Sequence, residues 1–382
     1  MRIILSIALI LVSIAAQAQD RVEQLLSRMT LEEKLGQLTQ LVKSQPEFPP
    51  ALQQGLVGSI LNDGGAAQTN EVQRSALAGS RLKIPLLYGY DVIHGYRTIF
   101  PIPLAIASSW DPQMAELSAR VAAREARAAG IRWTFAPMVD IARDARWGRI
   151  AEGAGEDPLL GSAMAAAYVR GFQDNGLLAC AKHYAAYGGA EAGRDYSTVE
   201  MSERTLREVY LPPFHAAVNA GVATLMSAFN SLNGIPATAN PHLLDGILRR
   251  EWKFKGFVVS DWDAVGELIK HGVAGSKQEA ARKAITAGVD MDMWDATYPL
   301  LAAEVRAGRL PESVVDRAVR RVLRMKIKAG LFEDPFTPET APPPLNRDAA
   351  RRVAQKSIVL LKNDGDLLPL PKSGRKIAIV GP

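Results

Sequence analysis

Short apolar runs rich in β-branched and aromatic residues alternate with helical patterns along most of this chain. That alternation constrains the fold more than any other feature. Val57–Leu61, Leu86–Tyr90, Trp133–Ala136, Leu178–Lys182, Thr224–Phe229, Gly256–Ser260 and Val289–Met291 each read as a strand. Helical segments lie between them. Thr30-Leu31-Glu32-Glu33 is a capping box that opens a first helix. Asp111-Pro112 supplies an N-cap and a proline at the first helical position, and Met114, Leu117 and Val121 then fall on one stripe before Gly130. Strands alternating with helices build a parallel sheet. Seven such runs, one short of eight, in a chain of 382 residues favour an α/β fold of the closed, TIM-like (β/α)8 type over an open sheet.

The two ends depart from this pattern. Residues 1–18 have the form of a signal peptide: Arg2, an apolar stretch from Ile3 to Ala15, and an A-x-A site at Ala16-Gln17-Ala18. This predicts a periplasmic or secreted protein. The stretch is too short to span a bilayer and no later one is long enough, so no membrane span is expected. The barrel is expected over 19–332. The segment EDPFTPETAPPPLN (333–346) contains five prolines and reads as a stiff extended linker. Beyond it come a helix from Arg347 to Lys356, the apolar run Ile358–Leu361, a turn at Asn363-Asp364-Gly365 and a strand from Lys376 to Val380. One strand and one helix bury no core, so 347–382 is expected to be the incomplete start of a second α/β domain, packing loosely on the barrel or disordered.

Composition excludes several functions. The net charge of +5 is mild, and the densest basic stretch, Arg317–Lys328, has the apolar period of a solvated helix, so no nucleic-acid partner is expected. The five histidines form no H-x-H or H-E-x-x-H, and Cys180 is the only cysteine, set in an apolar run. No catalytic metal, no other cofactor and no disulfide are expected, and Cys180 reads as a small buried hydrophobe. The glycine-rich Gly188–Gly193 lacks the Lys-Ser/Thr of a phosphate loop and reads as a mobile loop. A G-x-S-x-G elbow is absent.

The run Gly256–Ser260 ends at Asp261-Trp262-Asp263. Asp261 reads equally as a helix N-cap before Ala264–Ile269 or as a chemical group at the carboxyl end of a buried strand. Other polar residues end other strands. Asp91 follows Leu86–Tyr90, Lys182 and His183 follow Leu178–Ala181, and Arg143–Glu156 follows the run ending at Ala136. In a barrel these ends converge on one face. Carboxylates, a lysine, a histidine and arginines around a cleft, with Trp147 and Trp262 nearby, suit a polyhydroxylated ligand. Charged groups engage vicinal hydroxyls and an indole covers the apolar ring face.

The motifs YGYDVIHG (88–95), RDARWGRIAEGAGEDP (143–158), AKHYAAYGG (181–189), MSAFNSLNG (226–234) and VVSDW (258–262) occur in order, and together they closely resemble glycoside hydrolase family 3, in particular its exported bacterial β-glucosidases. The resemblance runs from about Arg21 to Pro382. It implies a retaining enzyme that cleaves terminal β-linked glucose from a β-glucoside or oligosaccharide, with Asp261 as the nucleophile. It also implies that Asp91, Arg149, Lys182 and His183 hold the hydroxyls of the sugar, that Met226 lines that subsite, and that Trp262 packs near the leaving group. Arg149 also reads as a rim ion pair with Glu152 or Asp144, His183 as a satisfied core histidine and Met226 as plain core. Lys182 and Arg149 are expected to help keep Asp261 ionised. Phe229 stands where several relatives carry a tyrosine that contacts the nucleophile.

Retaining hydrolysis also needs a proton donor. In the resembled β-glucosidases it comes from the domain after the linker. Glu152, Glu156, Glu191 and Asp263 are the alternatives within this chain, and nothing in the sequence singles one out. Two other functions stay open: a catalytically dead sugar-binding barrel, and a single-domain β-N-acetylhexosaminidase. The loop Lys182–Gly189 lacks the second histidine on which the latter relies.

Overall fold

A computed structural model describes residues 20–374, 376–378 and 380. The signal-peptide pattern, residues 1–18, lies outside the described residues.

Eight short strands form the centre: β1 (Thr39–Leu41), β2 (Ser59–Leu61), β3 (Leu87–Tyr90), β4 (Trp133–Thr134), β5 (Cys180–Tyr184), β6 (Thr224–Ser227), β7 (Phe257–Val259) and β8 (Asp292–Met293). All neighbours are parallel. β1 pairs with β2, β2 with β3 and β3 with β4. Single bridges join Trp133 to Leu178 beside β5 and Val259 of β7 to Met291 beside β8. β5 pairs with β6 and β6 with β7. Thr39 and Gln40 of β1 meet Asp292 and Met293 of β8, which closes the ring. The TIM-like barrel is therefore the observed fold.

The interior is packed with side chains. Trp133 sits edge-on to Phe135 and Phe257, with centroids 4.7 and 5.1 Å away, and its indole N–H donates to Thr224 at 2.8 Å. Gly89 of β3 leaves room for Phe135, whose ring a Cβ there would meet at 2.5 Å. Gln40 points inward and donates to Ser59 at 2.7 Å. Helices Ala66–Gly79, Pro112–Ala128, Pro158–Gln173, Pro212–Asn219, Lys277–Ala287 and Glu312–Lys328 lie between or after the strands. The two expected helix starts hold. Thr30 and Glu33 form a reciprocal capping box, and Asp111 accepts from the Gln113 N–H at 3.1 Å.

The structure shifts several expected elements. β1 has no counterpart among the seven predicted runs, and the last strand falls on Asp292–Met293 rather than Val289–Met291. The basic helix presents Val315, Val319, Val322 and Leu323 to the core, but Lys326 is also fully buried. Its ammonium donates to Gln37 and to the Pro85 carbonyl, and burial pulls it down to about 7. The proline-rich segment is fastened to the barrel wall. Asn70 exchanges hydrogen bonds with the Thr337 backbone at 2.8 and 2.9 Å, and the Asn346 N–H donates to Thr98 at 2.9 Å. The helix Arg347–Ser357 buries Ala349 and Val353, a firmer contact than expected, whereas Ile358, Leu360 and Leu361 are exposed. Lys376–Ala378 and Val380 carry no strand, and Ile379 lies outside the described residues.

Candidate active site

The carboxyl ends of the strands open into a cleft of about 360 Å³. Asp91, Arg149, Lys182, His183, Met226, Asp261 and Trp262 all line it, so the structure brings the whole predicted set together. Glu152, Phe135 and Met293 complete much of the wall. The side chains arrive from several elements. Asp91 directly follows β3, Lys182 and His183 belong to β5, and Met226 belongs to β6. Arg149 and Glu152 sit on one helical turn, Gly148–Glu152.

Asp261 stands two residues beyond β7 and is only 8% exposed. Its Oδ1 accepts the Trp262 N–H at 2.7 Å. The next helix, Glu267–Lys270, is entered through Gly266, so Asp261 caps no helix. Its Oδ2 accepts no hydrogen bond and lies 3.4 Å from His183 Nε2. Burial pushes the carboxyl up to about 7, although Lys182, the Trp262 N–H and Arg149 all pull it down. The expected cationic support is present but does not outweigh desolvation.

Lys182 is buried and donates to Asp91 Oδ1 at 3.0 Å, while Asp91 itself reaches solvent. The peptide between Lys182 and His183 is cis. His183 is held by a residue that the motifs did not identify, Asp140. Asp140 Oδ2 accepts the His183 backbone N–H and meets ring Nδ1, each at 2.8 Å, with both side chains 1% exposed. Burial pushes Asp140 up to about 8. Burial, then Arg149 and Lys182, hold His183 well below its ordinary value. With Nδ1 engaged by Asp140, Nε2 is the ring atom presented to the cleft.

Arg149 grips Glu152 in a fork, with distances of 2.7 and 3.0 Å. Burial disfavours its charge, but Glu152, Asp261 and Asp140 more than restore it and raise the guanidinium above its usual range. Arg149 thus lines the cleft and also forms the rim ion pair with Glu152; Asp144 pairs with Arg146 instead. The end of the same motif is structural, since Asp157 caps the helix Pro158–Gln173 by accepting the Leu160 N–H at 2.7 Å.

Two expectations change. Trp147 is 1% exposed, bonded to Asp195 and packed edge-on to Tyr187, so it buttresses the rim instead of covering a ligand. Gly188–Gly193 forms tight turns against the barrel; a Cβ on Gly188 would meet the Ile141 carbonyl at 2.1 Å, which is why glycine is needed there. Phe229 fills its place with an apolar contact, its ring 4.5 Å from that of Tyr196 and 5.8 Å from that of Tyr187. Cys180 behaves as expected, fully buried, with its thiol pushed up to about 12. Among the described residues no cluster of three or more His, Cys, Asp or Glu is arranged to hold a metal ion.

Known proteins share this architecture and sequence. The family described as the glycosyl hydrolase family 3 N terminal domain matches residues 30–325. The periplasmic beta-glucosidase of Salmonella typhimurium is 44% identical over 389 residues, covering 96% of this chain and 51% of that protein. A beta-xylosidase of Formosa agariphila is 36% identical over 401 residues, with 96% and 51% covered. The beta-glucosidase from Listeria innocua in complex with isofagomine superposes with a TM-score of 0.89 at 42% identity, covering 92% of this chain and 53% of that one. A mutant of the Listeria enzyme in complex with laminaribiose gives 0.88 at 42%, with 93% and 54% covered. The chain spans about half the length of the curated relatives it matches. A match running through nearly the whole barrel, together with this degree of identity to proteins that superpose on it, means that the chain belongs to glycosyl hydrolase family 3.

Proposed function

We propose that this barrel carries the nucleophile and the glucose pocket of a retaining β-glucosidase. One observation carries the reading: Asp261, buried at the carboxyl end of β7, lines the cleft, and its Oδ2 has no hydrogen-bond partner. The Trp262 N–H fixes the other oxygen and with it the plane of the carboxylate. Oδ2 attacks the anomeric carbon as the bond to the leaving oxygen breaks and that oxygen takes a proton. Water then displaces Asp261, returning the β configuration. Desolvation makes the carboxylate a stronger base than a free one, and binding a sugar excludes water further.

Asp91, Lys182, His183 and Arg149 bind rather than react. The Lys182–Asp91 pair offers a donor and an acceptor to neighbouring hydroxyls, and His183 Nε2 offers a further polar contact. Met226 closes the pocket and Trp262 lies toward the leaving group. Glu152 is a poor proton donor, because both its oxygens accept from Arg149. The reading therefore places the donor outside the carboxylates that line this cleft. The names of the Salmonella and Listeria relatives support glucose as the sugar.

We also take residues 1–18 as an export signal, which agrees with the periplasmic name of the Salmonella relative; among the described residues no helix is long and apolar enough to cross a membrane. An N-terminus at Gln19 in the exported protein would bear this out. The enzymatic reading is tested by following nitrophenyl β-glucoside hydrolysis by NMR. β-Glucose should appear first and mutarotate afterwards. First-formed α-glucose would overturn the retaining mechanism.

A further inference from the structure

Beside the nucleophile, two indoles lie face to face. Trp262 and Trp294 have ring centroids 4.0 Å apart and planes 20° apart. Trp262 follows Asp261 directly, lines the cleft and is 41% exposed. Trp294 directly follows β8. The two are therefore delivered by adjacent strands to one edge of the cleft.

The backbone is bent to achieve this. Trp294 has φ of 76°, in the left-handed region that bulky side chains avoid. Such conformations persist only where the surroundings hold them. Here the Trp294 N–H donates to the Gln40 carbonyl at 3.0 Å, and its own carbonyl accepts from the Gln45 amide at 2.6 Å. Lys277 anchors the next residue, Asp295, at 2.8 Å. Trp294 is thus fixed from behind, and its ring backs that of Trp262. An exposed tryptophan without such backing samples several rotamers, each of which would present a different surface. Backed, it offers one fixed flat face. Leu61, Ile93 and Met293 keep the neighbouring cleft wall apolar.

We infer that Trp294 is a positioning residue that locks Trp262 as a platform for the leaving group, and that the stacked pair selects glycosides whose aglycone is a flat aromatic ring. This rests on the β-glucoside reading of the same cleft. A rigid face forfeits no rotamer entropy on binding, and an aromatic ring stacks on it through area and quadrupole together.

Binding of non-hydrolysable thioglucosides tests this without depending on turnover. Phenyl 1-thio-β-glucoside should bind roughly tenfold more tightly than methyl 1-thio-β-glucoside. Trp294→Ala should erase most of that advantage and leave the methyl compound's Kd unchanged, which also shows that the fold is intact. Trp294→Phe, which keeps a ring behind Trp262, should retain much of it. If both compounds bind but the phenyl advantage is absent, or survives Trp294→Ala, the platform is refuted. Equal losses for both compounds would refute it as well, by making Trp294 a general support of the cleft. If thiocellobiose loses as much as the phenyl compound in Trp294→Ala, the aromatic selectivity is wrong. If neither monosaccharide derivative binds the unsubstituted protein, the β-glucoside reading itself fails.

Discussion

Asp140 Oδ2 holds His183 twice, at the backbone N–H and at ring Nδ1, both at 2.8 Å. The carboxyl group thereby sets the strand end from which His183 projects and also the orientation of its ring. In Asp140→Asn the amide oxygen can take the place of Oδ2 and keep both contacts, with the NH₂ group standing where Oδ1 has no hydrogen-bond partner. Asp140→Ala removes both contacts and frees the ring to turn, so glucose affinity should fall by about tenfold, whereas Asp140→Asn should retain most of it. Asp140→Ala should in addition lower stability by roughly 1–3 kcal/mol, through the unpaired backbone N–H. Calorimetric titration with glucose and thermal melts of both variants would check this. Unchanged affinity in Asp140→Ala would detach Asp140 from the site.

Lys182 is the largest influence that opposes the burial of Asp261. Its removal leaves desolvation less opposed, so the Asp261 pKa must rise above about 7. The nucleophile works ionised, and the acidic limb of kcat/KM follows this group in the free protein. In Lys182→Met that limb should move to higher pH, on top of a loss of sugar binding at every pH. The profile of aryl β-glucoside hydrolysis measures both effects. A limb that stays in place or moves to lower pH would show that another group governs it.

The same carboxyl is a stability liability. Its folded pKa, about 7, lies above the ordinary 3.8, so between these values the folded protein holds a proton that the unfolded chain has released. Asp261 therefore costs little stability at low pH. The cost grows as pH rises through this window and is complete above about 7. Asp261→Asn, which can keep the Trp262 hydrogen bond, should be more stable than the parent by roughly 1–3 kcal/mol in mildly alkaline buffer, with the difference vanishing toward the acid end. Melts of the two proteins across the pH range decide it. An equal gain at all pH values would point to packing instead.

What the sequence made legible follows from how local each signal is. β3, β5, β6 and β7 are apolar runs bounded by polar residues, and their carboxyl ends named the cleft residues directly. β1 was not legible, because only Leu38 separates Thr39-Gln40-Leu41 from the helix Leu31–Gln37 and its central glutamine is polar. Gln40 is tolerated inside because Ser59, from the neighbouring strand, accepts its amide. β8 was displaced for a similar reason. Asp292 interrupts the apolar pattern, yet it is fully buried, accepting the Thr297 N–H at 2.6 Å and hydroxyl at 2.9 Å. Asp140 and Trp294 escaped notice because each owes its role to a partner far along the chain, 43 residues away in the case of His183. Both lie just past a strand end, Trp294 directly after β8 and Asp140 after the run ending at Ala136, a position that could have marked them.

The central claim is that Asp261 Oδ2 becomes bonded to the sugar. A 2-deoxy-2-fluoro-β-glucosyl fluoride slows the second step more than the first and lets the glycosyl-enzyme accumulate. Digestion and peptide mass spectrometry of the inactivated protein should find one fluoroglucosyl group, on Asp261, and none in Asp261→Asn. Attachment to Asp91, Glu152 or Asp263 instead, or undiminished labelling of Asp261→Asn, would contradict the account.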